Sequence, residues 1–260
     1  MSDDSTFPPG ISALFEGQLD AHLAAILRGQ ERIYEQIEAL LALYAQFEFR
    51  AMLPPMRKWA ISPDFARILV QQIRMLQPAL TVELGGGVST IITAYALEQH
   101  RCGRVIAFDH ALEYAERTRQ QLTHHSLDHL AELRHAPLTA VNPPQHSGLW
   151  YDPTAFADLH NINLLIVDGP PQFDNPTPQV RYPALPLLIE RLAPGARILL
   201  DDAARPDETA IAARWQTEFG LTRLAEFDTE KGAILLEKPA YPRYPPPVPP
   251  NRRQPEQHPR

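Results

Sequence analysis

Residues 82–90 read VELGGGVST: an apolar run carrying one acid, Glu83, that breaks on Gly85, Gly86 and Gly87 before a new segment starts at Val88. Consecutive glycines after a strand let the backbone turn tightly and let a ligand approach with no Cβ in the way. The reading 80–84 (LTVEL) as strand and 90–99 as helix makes this stretch a strand–turn–helix unit, and the fold follows from whether that unit repeats.

It does repeat. Downstream strand candidates are 104–108 (RVIAF), 131–135 (AELRH), 162–167 (INLLIV), 197–200 (RILL), 221–227 (LTRLAEF) and 233–237 (AILLE), with helical patterns at 111–122, 183–193 and 208–219. Short apolar strands separated by helices predict a doubly wound α/β fold, a mostly parallel sheet covered on both faces. The turn DTEKG between the last two strands is too short for a crossover, so they form an antiparallel hairpin at one edge. Upstream, Ser62-Pro63-Asp64 reads as a helix start with a hydroxyl cap and proline in the first turn.

In such sheets ligands bind at the carboxyl ends of the strands. Four strand ends carry polar chemistry: the glycine turn, Asp109 closing RVIAFD, Asp168 in LLIVDGPP, and the pair Asp201–Asp202 in ILLDDA. Asp109, some two dozen residues after the glycines, is placed to accept hydrogen bonds from ribose hydroxyls. The dinucleotide fingerprint G-x-G-x-x-G is met at Gly85 and Gly87 but fails at Thr90, and Glu83 fits poorly beside a pyrophosphate. A nicotinamide-dependent oxidoreductase is therefore the weaker reading. Glu83 suits a ligand with a cationic end, and a nucleoside joined to an amino acid uses both Glu83 and Asp109. S-adenosylmethionine is that molecule.

The ordered set VELGGGVST, RVIAFD, LLIVDGPP and RILLDDA, closed by a strand hairpin, resembles the class I S-adenosylmethionine-dependent methyltransferases over roughly residues 60–238. Together with RYPAL (Arg181 to Leu185) it is similar to a bacterial subgroup linked with surface glycans or secondary metabolites. The resemblance implies a seven-stranded sheet of order 3-2-1-4-5-7-6. It implies cofactor contacts at Glu83, Gly85, Gly86, Gly87, Ser89, Asp109, Ala136 and Asp168, the HAPL stretch around Ala136 lying near the adenine. It implies O-methylation of a small-molecule or glycan hydroxyl, with Asp168, Asp202 and Arg181 as catalytic candidates. Some O-methyltransferases of the class hold a magnesium ion at positions matching Asp168, Asp201 and Asp202, and a hard cation would relieve the repulsion among them. The lysine base of the catechol-type enzymes is replaced by Pro171, so the general base is unassigned. Arg181 is open to two readings: a clamp for an anionic substrate group, or a partner for Asp168 or Asp202 that leaves no need for a metal. His110 reads as a base candidate or a solvated loop residue. Trp59, Trp150 and Tyr151 read as stacking aromatics or core.

The remaining sequence divides the chain into an N-terminal helix (1–50), the methyltransferase-like domain (51–238) and a proline-dense tail (239–260) expected to be disordered. Leu19, Leu23, Ile26, Gln30, Ile33, Ile37, Leu40, Tyr44 and Phe47 follow steps of four and three, a heptad seam that predicts a coiled coil and a homo-oligomer, or else packing on the chain's own domain. A scaffold that keeps the cofactor fold without catalysis would use this arm and the tail. The net charge of -7 argues against a non-specific nucleic-acid partner. The single cysteine, Cys102, allows no internal disulfide, and neither a membrane span nor a basic leader is visible; together these suit a cytoplasmic protein.

Overall fold

The computed structural model describes residues 9–172 and 177–240, with side chains from residue 18 onward; residues 241–260 of the proline-dense tail lie outside the described residues. The chain runs α1 (Pro9–Gln46), α2 (Pro63–Leu76), β1 (Leu80–Leu84), α3 (Val88–His100), β2 (Arg104–Asp109), α4 (Leu112–His124), β3 (Ala131–His135), β4 (Leu138–Val141), β5 (Gly148–Tyr151), β6 (Ile162–Val167), α5 (Ala184–Leu188), β7 (Leu192–Asp201), α6 (Pro206–Phe219), β8 (Thr222–Phe227) and β9 (Ala233–Glu237). The main sheet has seven strands in the order β3-β2-β1-β6-β7-β9-β8. In terms of these seven strands alone that is the expected order 3-2-1-4-5-7-6. The pairs from β3 to β7 are parallel, and β9 is antiparallel to both its neighbours.

Alternation along the strands builds two cores. Leu165 and Val167 of β6, with Val82 and Leu84 of β1, face the side that holds Trp150, Tyr182 and Trp215. Leu164 and Ile166 face the side packed by α2, α3 and the end of α1. Glu83 therefore points toward α3, away from its strand neighbours Val82 and Leu84.

Some expectations change in detail. Ser62 precedes α2 without a side-chain cap bond; its hydroxyl donates to Asp64 Oδ1 at 2.5 Å, and Asp64 Oδ1 in turn accepts from Phe65 N. The helix expected over 183–193 ends at Leu188 and gives way to a 3-10 turn, where Lys238 Nζ donates to the carbonyls of Ile189 and Leu192, both at 2.8 Å. The hairpin β4–β5 forms a second, two-stranded sheet inside the region expected as loop.

α1 has two separate sides. Gln36, Ala39, Leu43 and Phe47 pack on the body, and Gln36 exchanges hydrogen bonds with Asp64. Leu19, Leu23, Ile26, Ile33, Ile37 and Tyr44 of the seam stay exposed, as do Leu27, Tyr34 and Leu41. At 3.6 residues per turn the two sides are roughly 120° apart. Gln46 lies by Gln99 at the far end of α3, whereas Arg32 reaches Asp228 and Thr229 in the β8–β9 turn, so α1 runs past the carboxyl edge of the sheet.

Candidate functional site

The glycine turn is shaped by close approaches. Gly85 has φ +96°, and a Cβ there would lie 3.1 Å from the Asp168 carbonyl. A Cβ on Gly86 would collide with Leu133 Cδ1. Gly87, extended at φ 171°, would meet nothing within 4 Å, so the open space of the turn lies beside it. The amides of Gly85 and Gly86 both donate to Phe108 O, at 2.9 and 3.2 Å, which ties the turn to β2.

Glu83 is fully buried beneath this turn. Its Oε2 accepts from Thr90 Oγ1 at 2.7 Å, while Oε1 has no partner. Burial, opposed by the Ser89 and Thr90 hydroxyls, pushes its pKa up to about 7. Asp109 ends β2, where its Oδ1 accepts from Ala111 N at 2.8 Å and faces His110 Nδ1 at 3.4 Å. Burial raises its pKa as well. Ala136 is buried, and its amide donates to Asp109 O at 2.8 Å, which holds the start of the HAPL segment against the end of β2.

The acid cluster lies at the ends of β6 and β7. Oxygens of Asp168, Asp201 and Asp202 come within 4.8 Å of one another. Arg181, only 4% exposed, sits among them. Its Nη2 is 2.6 Å from Asp202 Oδ2 and 3.4 Å from Asp168 Oδ1, its Nη1 donates to Asp201 O at 3.1 Å, and its Nε is 3.7 Å from Glu208 Oε1. Arg205 adds a second cation 3.0 Å from Asp202 Oδ2. Asp202 takes φ 62°, a left-handed conformation that aspartate tolerates. Asp201 is different: both its oxygens are buried without a partner, and burial together with Asp202 pushes its pKa up to about 6. Asp168 is raised well above the usual carboxylate range, first by burial and then by Asp201.

The expected magnesium ion can be tested against this arrangement. The ion sits about 2.1 Å from its oxygen ligands. Nη2 of Arg181 already bridges Asp202 and Asp168 at hydrogen-bond distance, and a guanidinium and a magnesium ion cannot share that position. Arg181 thus fills the point between those two oxygens, while Asp202 Oδ1 and both oxygens of Asp201 stay without a partner and could still hold a cation. The same contacts place Arg181 against the carboxylates rather than turned toward an acceptor.

Trp150 and Tyr151 are both buried, Trp150 stacking on Phe156 at 5.4 Å, whereas Trp59 is mostly exposed. Glu208 and Arg205, missed in the sequence, join the cluster from the start of α6; their spacing of three residues across a helix start was the available signal.

Residues 82–203 match a family model described as a methyltransferase domain. Comparison with curated proteins finds no match. Among solved structures, an O-methyltransferase from Bacillus cereus in complex with SAH aligns with a TM-score of 0.53 at 15% identity, over 78% of this chain and 90% of that one. The O-methyltransferase TomG from Streptomyces achromogenes, involved in tomaymycin synthesis and solved with SAM, gives 0.52 at 16%, over 70% and 82%. SAH-bound methyltransferase PaMTH1 of Podospora anserina gives 0.53 at 12%, over 77% and 86%. At these identities the likeness speaks for the fold. The sheet order and the glycine turn after β1 are those of the Rossmann-like methyltransferase fold, and residues 82–203 within it match a methyltransferase domain.

Proposed function

We propose that the chain binds S-adenosylmethionine at the carboxyl edge of the sheet and methylates a hydroxyl oxygen of a small-molecule or glycan acceptor. The observation that carries this reading is the pairing of Glu83, buried with an unpartnered Oε1, with the open space at Gly87. A buried acid with a free oxygen beside a Cβ-free turn suits the ammonium group of an amino acid.

The residues divide the work. Glu83, Ser89 and the glycines Gly85, Gly86 and Gly87 hold the methionine part. Asp109 keeps Oδ2 for the ribose hydroxyls, and Ala136 lines the adenine side. Bound there, the cofactor supplies an electrophilic methyl group on a sulfonium. Asp168, at the end of β6 against the glycine turn, is the candidate to accept the acceptor's hydroxyl proton. Arg181 fixes Asp202 and holds part of the negative charge, so that Asp168 keeps its position. The described part of the acceptor wall is the β4–β5 hairpin with residues 177–182, and the choice of acceptor lies there.

The test is transfer of a labelled methyl group to a panel of phenols, catechols and sugars, with Asp168→Asn alongside. Label on an acceptor oxygen that falls at least a hundredfold in Asp168→Asn supports the assignment. Cofactor binding with no transfer to any acceptor would instead favour a scaffold.

The exposed face of α1 suits a second copy of the chain. Its large apolar side chains, at roughly 100 Å² each, offer on the order of 900 Å² per copy, close to the 800 Å² per partner of a standard interface. No helix among the described residues is long and apolar enough to cross a membrane.

A further inference from the structure

Tyr151 closes β5, and its ring is held in the core against Trp150 at 5.4 Å and Phe156 at 6.5 Å. Its hydroxyl is buried and has no hydrogen-bond partner. That is unusual, because a buried tyrosine O–H normally finds an acceptor or donor, and phenylalanine would fill the same space without loss. The position of the hydroxyl supplies the reason. A Cβ on Gly169 would collide with it, and the same Cβ would lie 3.2 Å from Gly85 Cα and 3.3 Å from Gly85 N. Tyr151 Oη therefore sits where the turn after β1 meets the turn after β6. The charged groups that act on it are Asp109, Arg181, Asp168 and Glu83, all of them from the candidate site. Burial and those carboxylates keep the phenol protonated, so it is available as a donor.

We infer that Tyr151 is a cofactor-binding residue, its hydroxyl hydrogen-bonding the methionine end of S-adenosylmethionine, with the ligand supplying the partner that the protein withholds. The inference rests on the proposed cofactor. The hydroxyl lies at the Gly85 turn, while the backbone of Tyr151 pairs with Leu138 of the HAPL segment. The ring packs as core, and only its last atom belongs to the site.

The test is Tyr151→Phe in the full chain, read by calorimetric titration with S-adenosylmethionine and with 5′-methylthioadenosine, which lacks the amino-acid end, and by thermal unfolding without ligand. Loss of one hydrogen bond to the charged carboxylate weakens S-adenosylmethionine binding about ten- to a hundredfold. Methylthioadenosine affinity stays unchanged, and the ligand-free protein unfolds at or above the wild-type temperature, since an unpaired buried hydroxyl has been removed. Unchanged or tighter S-adenosylmethionine binding overturns the inference, as does an equal loss for both ligands or a lower unfolding temperature. Wild-type protein that binds neither ligand overturns the proposed cofactor instead, so the two failures are distinguishable.

Discussion

Replacing Arg181 with methionine, which is similar in length but uncharged, tests the account of the acid cluster. The guanidinium is 2.6 Å from Asp202, 3.4 Å from Asp168 and 3.7 Å from Glu208, and all four side chains are at most 9% exposed, so solvent screens little of the interaction. Removing one partner of a buried pair costs about 3–5 kcal/mol, because the remaining charges stay buried without compensation. For a chain of this size that is a fall of roughly 10 °C in Tm. The loss should be largest at pH 8 and shrink toward pH 5, where the orphaned carboxylates can take up protons. The vacated position should then admit a cation between Asp168 and Asp202. With oxygens of Asp168, Asp201 and Asp202 within 4.8 Å of one another, the variant gains a divalent-cation site. At a hundredfold excess over its Kd, Mn2+ would restore about 2.7 kcal/mol. Thermal unfolding of both proteins in chelator and in MnCl2, with the manganese spin signal as a direct measure of bound ion, reads both effects. Wild-type protein that binds Mn2+ as tightly as the variant, or a variant as stable as wild type at pH 8, would refute the argument.

Glu83 sets a pH dependence: its folded pKa of about 7 exceeds the ordinary glutamate value of 4.5, so its contribution to stability is fully present below pH 4.5 and is lost as pH rises through about 7. Glu83→Gln should flatten that fall in urea titrations between pH 5 and 8, and should also remove the rise in cofactor affinity expected over the same range as the acid ionises to meet an ammonium; an unaltered pH profile would contradict the assignment. Gly85→Ala, with φ +96° and the Asp168 carbonyl 3.1 Å away, should lower both Tm and cofactor affinity, whereas Gly87→Ala should leave Tm within about 1 °C of wild type and weaken only the affinity. If Gly87→Ala binds the cofactor normally, the open space at the turn is not where the ligand lies. Ile26→Glu with Ile33→Glu, both on the exposed face of α1, should reduce the mass seen by light scattering to that of a single chain; a wild type that already scatters as one chain removes the second copy from the account.

The sequence was most legible where one local signal decided an element. β1, β2, β6 and β7 each ended on or beside a glycine or an acid after a short apolar run, and Leu80–Leu84, Ala131–His135, Ile162–Val167 and Ala233–Glu237 lie where the apolar runs place them. Elements fixed by tertiary contacts were less visible. β4 and β5 are four residues each, too short for a period to register, and they are held by the packing of Trp150 and Tyr151 rather than by their own propensity. α5 is short, and the carbonyls just beyond it are taken by the Lys238 ammonium, some fifty residues on. The seam of α1 reads as a single stripe in sequence, yet the body is packed by a different side, through Gln36, Ala39 and Leu43.

The candidate site divides the same way. Glu83, Asp109, Asp168, Asp201 and Asp202 were each visible as a polar residue at a strand end, because an acid there stands out against an apolar run. How they are compensated was not visible. That Arg181 compensates Asp202 turns on a distance of 2.6 Å between residues 21 apart in sequence, and no spacing rule reports that. Tyr151 was legible as an aromatic near a strand–helix unit, but not as a hydroxyl without a partner.

The most direct test is calorimetric titration of S-adenosylmethionine into metal-free wild-type protein and into Asp109→Ala. Binding in the micromolar range, about -8 kcal/mol, without added magnesium and lost in the variant, is the predicted result. Wild-type protein that shows no binding under these conditions would contradict the assignment of the carboxyl edge as a cofactor site.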